Sequence, residues 1–242
     1  MLRFLVILLG LFVLGYVLVS GAYVAYRVSV GRQLAAGAVP FARELPAPRL
    51  RFLMAGDSTA VGAGASEARY SIAGRLAEDF PDAAVQNSGQ RGFRARDVAQ
   101  RLSRTEGVYD LVLVHAGGND IIRFTSLEKL RASVTNILRE AKRLSPNVLI
   151  LHSGNMGLAP FFPWPFSLAA TWRTEQVRAI YQELATQYGA HYVDLYTTKK
   201  DDPFRENPDQ YYAADGLHLT DMGYSVWYGK IRGTMDSAGI AL

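Results

Sequence analysis

Five short apolar runs recur between residues 50 and 195, and longer segments with helical patterns separate them. The runs are rich in Val, Leu and Ile without strict alternation, which is typical of strands buried on both faces. The predicted strands are 50–55, 83–86, 111–115, 148–152 and 191–195, and the predicted helices are 67–80, 95–103, 127–144, 168–188 and about 221–237. The pattern predicts an α/β domain over residues 50–242, with a mainly parallel five-stranded sheet covered by helices on both faces.

The N-terminus carries 23 consecutive uncharged residues, 4–26. A helix of that length matches the roughly 30 Å hydrocarbon core of a bilayer. Residues 1–27 are therefore predicted to be a single-pass transmembrane anchor. The alternative is a cleaved secretory signal, since Ser20-Gly21-Ala22 offers small residues for cleavage. The apolar stretch continues past that point, which favours the anchor.

Residues 28–49 contain several Gly and Pro residues and are predicted to be a linker that lifts the domain off the membrane. The formal net charge of +4 arises near this linker, because residues 52–242 hold 20 basic and 21 acidic side chains. The surplus can lie near anionic head groups, and nucleic acid is not expected as a partner. The arginine bias favours a cytoplasmic domain, and a periplasmic one stays possible because large domains are translocated despite such charge. The absence of cysteine excludes disulfides and thiol catalysis.

A candidate nucleophile closes the first apolar run, in Gly56-Asp57-Ser58. A serine at the carboxyl end of a strand can expose its hydroxyl while nearby backbone N–H groups face a developing oxyanion. The alternative is an ordinary turn, for which Gly-Asp-Ser is a common sequence.

A candidate general base follows far downstream. His218 lies three residues after Asp215 in a polar, aromatic loop, and a turn there can bring the carboxylate to one imidazole nitrogen. The alternative is a surface turn or a helix cap. The other histidines, His115, His152 and His191, lie in or beside apolar strands and are expected to be packed.

Two further blocks offer oxyanion donors. Asn119 follows two glycines after the third strand, and Gly89 follows the second strand. Their alternatives are a helix cap and an ordinary strand-to-helix turn; Asp120 is expected to have the structural role. No spacing resembles a zinc motif, so neither a metal nor a cofactor is expected.

An aromatic and proline-rich segment, residues 160–166, follows the fourth strand. Its aromatic side chains, Phe161, Phe162 and Trp164, are candidates for lining an acyl pocket or for touching lipid. The alternative is a rigid loop packed on the domain.

Taken together, the blocks around Ser58, Gly89, Asn119 and His218 resemble the SGNH hydrolases, also called GDSL esterases and lipases. They occur in that family's order and span residues 52 to about 230, nearly the whole predicted domain. The resemblance implies a flavodoxin-like three-layer α/β/α sandwich in which Ser58 is the nucleophile, His218 the base and Asp215 its partner. It also implies an oxyanion hole from the Ser58 and Gly89 N–H groups and the Asn119 side chain. Thr59 departs from the family's leucine at a position outside the chemistry.

The expected function is hydrolysis of carboxylic esters through an acyl-enzyme, with lipids or acylated amphiphiles as substrates, as in a lysophospholipase-like enzyme. One alternative is an O-acetyl or acyl transferase, or a deacetylase, that acts on envelope carbohydrate. Another is a non-catalytic binding module. The oligomeric state does not follow from the sequence.

Overall fold

The computed structural model describes residues 1–240 and 242. It begins with one long helix, α1 (Leu2–Gly37), of which only Ser20, Gly31 and Ala35 are buried. This helix is long and apolar enough to cross a membrane. It continues ten residues beyond the predicted end of the anchor at residue 27, because residues 28–37 contain good helix formers and the first proline comes at Pro40.

The segment predicted as a linker is therefore different in the structure. Its first part belongs to α1, and its remainder contacts the domain through Arg43, which forms an isolated antiparallel bridge with Val85. The Arg43 side chain also donates to the carbonyl oxygen of Ala83, with its Nε 2.9 Å away. Val85 lies in a strand at the edge of the sheet, where backbone groups would otherwise be unpaired, and Arg43 forms hydrogen bonds with two of them. The predicted linker over residues 28–49 is therefore shorter, because residues 28–37 are helical, and it is attached to the domain at Arg43.

The sheet has five parallel strands in the order β2-β1-β3-β4-β5. They are β1 (Leu50–Gly56), β2 (Ala83–Asn87), β3 (Leu111–His115), β4 (Val148–Leu151) and β5 (His191–Tyr192). Each lies within or next to its predicted run, and the order is that of a flavodoxin-like doubly wound sheet. The predicted fold class is confirmed.

The helices that follow α1 are α2 (Ser58–Val61), α3 (Ile72–Asp79), α4 (Ala95–Ser103), α5 (Gly118–Ile122), α6 (Leu127–Leu144), α7 (Phe166–Gln187), α8 (Pro208–Tyr211) and α9 (Asp221–Ser237). The helix predicted over 67–80 is divided in two. Residues 68–70 form a separate 3-10 turn, and α3 begins after Ser71, whose hydroxyl accepts a hydrogen bond from the N–H of Gly74. A serine cap of this kind fixes where the helix starts.

Two hydrophobic clusters cover the two faces of the sheet. Leu53 and Ala55 of β1 belong to the cluster that includes α4, α6 and α7. Phe52 and Met54, which alternate with them, belong to the cluster that includes α3 and α9. Successive residues of a strand point to opposite faces, so the sheet is the middle layer of a three-layer sandwich.

Candidate active site

Ser58 lies in the first turn of α2, directly beyond the carboxyl end of β1. The preceding turn requires glycine at residue 56, because its φ is +153° and an added Cβ would lie 2.1 Å from the carbonyl oxygen of His115. Asp57 caps α2, accepting a hydrogen bond of 3.0 Å from the N–H of Thr59. Residues 56 and 57 thus fix the position from which Ser58 presents its hydroxyl.

His218 and Asp215 meet Ser58 from the other end of the chain. His218 Nε2 lies 2.9 Å from Ser58 Oγ, and His218 Nδ1 lies 2.5 Å from Asp215 Oδ2. An antiparallel bridge between Tyr212 and Leu219 closes the loop that carries both residues. The structure therefore brings all three predicted catalytic side chains into one hydrogen-bonded chain.

The hydrogen bonds of Asp215 favour its ionised form. Burial opposes ionisation, but the His218 ring and the backbone N–H groups of Leu217 and His218 outweigh it, so the pKa of Asp215 is held below its ordinary value. With Asp215 ionised, Nδ1 of His218 donates to the carboxylate. Nε2 is then free to accept the Ser58 proton, which is the tautomer that a general base needs.

A cavity of about 570 Å³ opens in front of Ser58 and His218. Apolar side chains form a large part of its wall, among them Val28, Ile122, Met156, Phe161 and Leu217. A cavity of this size and composition is typical of small-molecule sites. Among residues 1–240 and 242, no group of three or more His, Asp or Glu side chains is placed to hold a metal ion.

The predicted oxyanion donors differ in their availability. Asn119 lines the cavity, and one hydrogen of its amide is donated to the carbonyl oxygen of Phe93 at 3.0 Å, which leaves the second hydrogen. Gly89 departs from expectation, because its N–H donates to Asn87 Oδ1 at 2.9 Å. Asn87 also donates to the carbonyl oxygen of Ala60 at 2.9 Å and so joins the end of β2 to α2. No pattern in the sequence indicates that the side chain of Asn87 accepts a hydrogen bond from the N–H of Gly89.

The three aromatic candidates have three different environments. Phe161 is buried and lines the cavity. Phe162 packs against the hydrophobic core and against the edge of Phe161. Trp164 is 67% exposed and lies outside the cavity wall. Only Phe161 has the position predicted for an acyl-pocket residue.

Two of the three remaining histidines are buried as their strands suggest, and His191 is not. His115 is buried, and its Nδ1 lies 3.0 Å from Asp57 Oδ1. His152 is also buried, which lowers its pKa to about 3, and its Nε2 lies 2.9 Å from the hydroxyl of Tyr192. His191 is half-buried at the start of β5.

Asp120 has a structural role on a different helix from the one expected. Its Oδ2 accepts a hydrogen bond of 2.8 Å from the N–H of Ala95, at the start of α4. Burial raises the pKa of this carboxyl.

One wall of the cavity comes from the C-terminal part of α1, a segment that was predicted to be anchor and linker and not part of the site. The residues are Arg27, Val28, Gly31, Arg32, Ala35 and Ala36. Their spacing of four residues is the only local signal, since it puts them on one helical face. Nothing in the sequence around α1 indicates which part of the domain that face contacts.

The fold is shared with solved structures, which include an esterase and a lipase/acylhydrolase. TesA is 21% identical, with a TM-score of 0.61 over 78% of this chain and 99% of that one. A lipase/acylhydrolase from Enterococcus faecalis is 22% identical, with a TM-score of 0.58 over 78% and 96%. An acetyl xylan esterase from Geobacillus stearothermophilus is 18% identical, with a TM-score of 0.57 over 81% and 97%.

A comparison with curated protein sequences finds no match. A family model does match, over residues 54–226, which run from β1 into α9 and include Ser58, Asp215 and His218. This segment is most of the chain, and the chain therefore belongs to the GDSL-like lipase/acylhydrolase family.

Proposed function

We propose that the protein is a serine hydrolase that cleaves carboxylic esters through an acyl-enzyme on Ser58. The observation that carries the proposal is the hydrogen-bonded chain from Ser58 Oγ through His218 to Asp215, at 2.9 and 2.5 Å, beside the cavity. A nucleophile, a base and a group that orients the base are the parts that serine acyl transfer needs.

In the first half of the reaction, Ser58 Oγ attacks the ester carbonyl carbon while His218 Nε2 takes the hydroxyl proton. The tetrahedral intermediate then expels the alcohol, and His218 returns the proton to the departing oxygen. Asp215 stays ionised and stabilises the imidazolium that forms in between. In the second half, His218 removes a proton from water, the hydroxide attacks the acyl-enzyme, and Ser58 leaves with the proton from His218.

The negative oxygen of the intermediate needs donors on the Ser58 side of the cavity. The backbone N–H of Ser58 and the second amide hydrogen of Asn119 are the donors we assign to it. Gly89 can join them only when its N–H is released from Asn87 Oδ1, to which it is hydrogen-bonded at 2.9 Å. Losing one such donor costs about 3 to 4 kcal/mol of barrier in a comparable serine hydrolase, so Asn119→Ala is expected to slow the reaction strongly.

The proposed substrate is a lipid or another acylated amphiphile. The apolar part of the cavity wall suits an acyl chain. Part of the cavity wall comes from α1, whose preceding residues are apolar and exposed. A substrate that partitions into a membrane would therefore be concentrated next to the cavity.

We propose that α1 is a single-pass anchor. Tyr23 of α1 donates to the carbonyl oxygen of Pro160 at 2.7 Å, which sets the aromatic segment 160–166 beside the helix. Beyond this contact, Trp164, Phe166, Leu168 and Trp172 are all more than half exposed. Exposed aromatic side chains next to a membrane helix suit the lipid interface. The arginine bias favours a cytoplasmic domain.

Hydrolysis of 4-nitrophenyl esters of increasing chain length tests the proposal. The protein is the full-length chain in a neutral detergent, beside Ser58→Ala and the matched surface control Ser103→Ala. Wild type and Ser103→Ala should hydrolyse the esters, and Ser58→Ala should be slower by at least about 1,000-fold. Equal rates for Ser58→Ala and wild type would contradict the proposal and favour a non-catalytic binding module. Acyl transfer to a sugar acceptor in preference to water would favour the carbohydrate transferase.

A further inference from the structure

The C-terminal part of α1 is fixed against the domain at the cavity. Arg27 Nη1 donates to the carbonyl oxygen of Ala214 at 2.7 Å, next to Asp215. Arg91 Nη1 donates to the carbonyl oxygen of Ala35 at 3.1 Å. Gly31, between these two contacts, is buried so closely that an added Cβ would lie 2.6 Å from Asp215 Oδ2. The helix is thus a defined wall of the site.

Four arginines lie around this cavity: Arg27 and Arg32 from α1, Arg91 from the loop after β2, and Arg123 from the end of α5. Arg32, Arg91 and Arg123 are exposed at its mouth. In the part of the chain that the structure describes, none of the four has a carboxylate within 4.0 Å. The charged side chains exposed at the mouth of the cavity are therefore positive and form no ion pair within the described part of the chain.

The carboxylates in the cavity wall offset this charge only in part, since there are two of them against four arginines. They are Asp57 and Asp215, both nearly inaccessible to solvent. Each is hydrogen-bonded to a histidine ring, His115 or His218. A cleft lined by one sign of accessible charge concentrates ligands of the opposite sign.

We propose that these arginines form an anion subsite, so that the enzyme prefers an amphiphilic ester carrying a phosphate group to a neutral ester with the same acyl chain. Guanidinium groups bind phosphate through paired, charge-assisted hydrogen bonds. The apolar wall holds the chain while the arginines hold the phosphate. This substrate preference rests on the proposed esterase function. Arg32 and Arg123 are the specificity-determining residues, because no hydrogen bond within the described part of the chain occupies their guanidinium groups.

The test compares two esters of one chain length, 1-lauroylglycerol 3-phosphate and 1-lauroylglycerol. The full-length protein is assayed in neutral detergent micelles for release of laurate. Wild type should show a kcat/KM at least about tenfold higher for the phosphate ester, and this preference should shrink as salt is added. The double variant Arg32→Gln/Arg123→Gln should lose most of it. Arg205→Gln, the same charge change at an exposed residue outside the cavity, should keep it.

A binding measurement keeps this subsite separate from the chemistry. Dodecyl phosphate, which has no ester to cleave, is titrated into Ser58→Ala with and without the two arginine substitutions. Binding that weakens by about tenfold or more in the arginine variant supports the subsite, even if no ester is hydrolysed and the proposed function fails. Equal binding by both proteins, or equal kcat/KM for the two laurate esters in wild type, would overturn the subsite while leaving the hydrolase intact.

Discussion

Two Asp–His pairs lie close to Ser58, and only one of them reaches its hydroxyl. Asp215 Oδ2 and His218 Nδ1 are 2.5 Å apart, and Asp57 Oδ1 and His115 Nδ1 are 3.0 Å apart. The second ring nitrogen of His218 lies 2.9 Å from Ser58 Oγ. The second ring nitrogen of His115 is buried without a hydrogen-bond partner among the residues that the structure describes.

The surroundings of the two rings explain the difference. The side chain of His218 is 12% exposed and borders the cavity, whereas that of His115 is 1% exposed and stacks on Trp227. Asp57 is turned inward to cap α2, while Asp215 lies in the loop that faces Ser58. In the proposed mechanism, an Asp–His pair thus has a catalytic role where the second ring nitrogen meets Ser58, and a structural role where that nitrogen is buried.

The largest expected effect separates the two histidines. His218→Gln should lower kcat for 4-nitrophenyl butyrate by at least about 100,000-fold, because the general base is lost. His115→Gln should change kcat by less than about tenfold and lower the free energy of unfolding by about 1 to 3 kcal/mol, since Asp57 loses a buried partner. Kinetics and urea unfolding on both variants give the two numbers. A large loss of kcat in a stable His115→Gln protein would contradict the structural role of His115.

Substitution of the two aspartates should likewise affect kcat in one case and mainly stability in the other. Asp215→Asn is expected to lower kcat by about 10,000-fold, as in a serine protease whose triad aspartate is replaced, because the histidine tautomer is no longer fixed. Asp57→Asn should mainly reduce stability, by about 1 to 3 kcal/mol, because Asp57 is buried and holds the start of α2. Steady-state kinetics and urea unfolding would be recorded side by side. Similar kcat values for the two variants would mean that the pairs are not distinct.

A smaller effect is expected from a substitution in α1 that crowds Asp215. Gly31→Val puts a side chain within 2.6 Å of Asp215 Oδ2, and the resulting shift should lower kcat/KM by about 10- to 100-fold. The matched control is Gly15→Val in the same helix, where an added Cβ meets no atom within 4 Å. Equal activity in the two variants would show that the α1 wall does not bear on Asp215.

The smallest effect is the pH dependence of stability. Because the pKa of Asp215 is lowered from its ordinary value of 3.8, its charge stabilises the fold above that value and the contribution disappears as the pH falls through the lower, folded value. Relative to Asp215→Asn, wild type should lose stability as the pH falls from 5 to 3, because the Asp215 carboxylate is protonated over this range. Urea unfolding at several pH values from 5 to 3 measures this, and a stability difference that does not fall over this range would contradict it.

The sheet and most helices could be predicted because their signals are local. The strand at 111–115 and the helices at 95–103, 127–144 and 221–237 have their predicted bounds, since apolar runs and amphipathic repeats carry that information within each segment. The fold class followed from their alternation. The meeting of Ser58 with Asp215 and His218 was predicted from the family resemblance, since no local pattern joins residues about 160 positions apart.

The features that the sequence could not predict depend on contacts between distant segments. The place of α1 in the cavity wall depends on partners such as Pro160 and Ala214. The occupied N–H of Gly89 depends on the side chain of Asn87, and no pattern of spacing reports a side-chain rotamer. Exposed Trp164 differs from buried Phe161 only through the path of the loop between β4 and α7.

We infer that His218 activates Ser58, and covalent labelling of the full-length protein with a fluorophosphonate tests this directly. Intact mass and peptide mapping should show one label per chain, on Ser58, and His218→Gln should abolish it while His115→Gln retains it. No label on wild type, a label on another serine, or equal labelling of His218→Gln would contradict the claim.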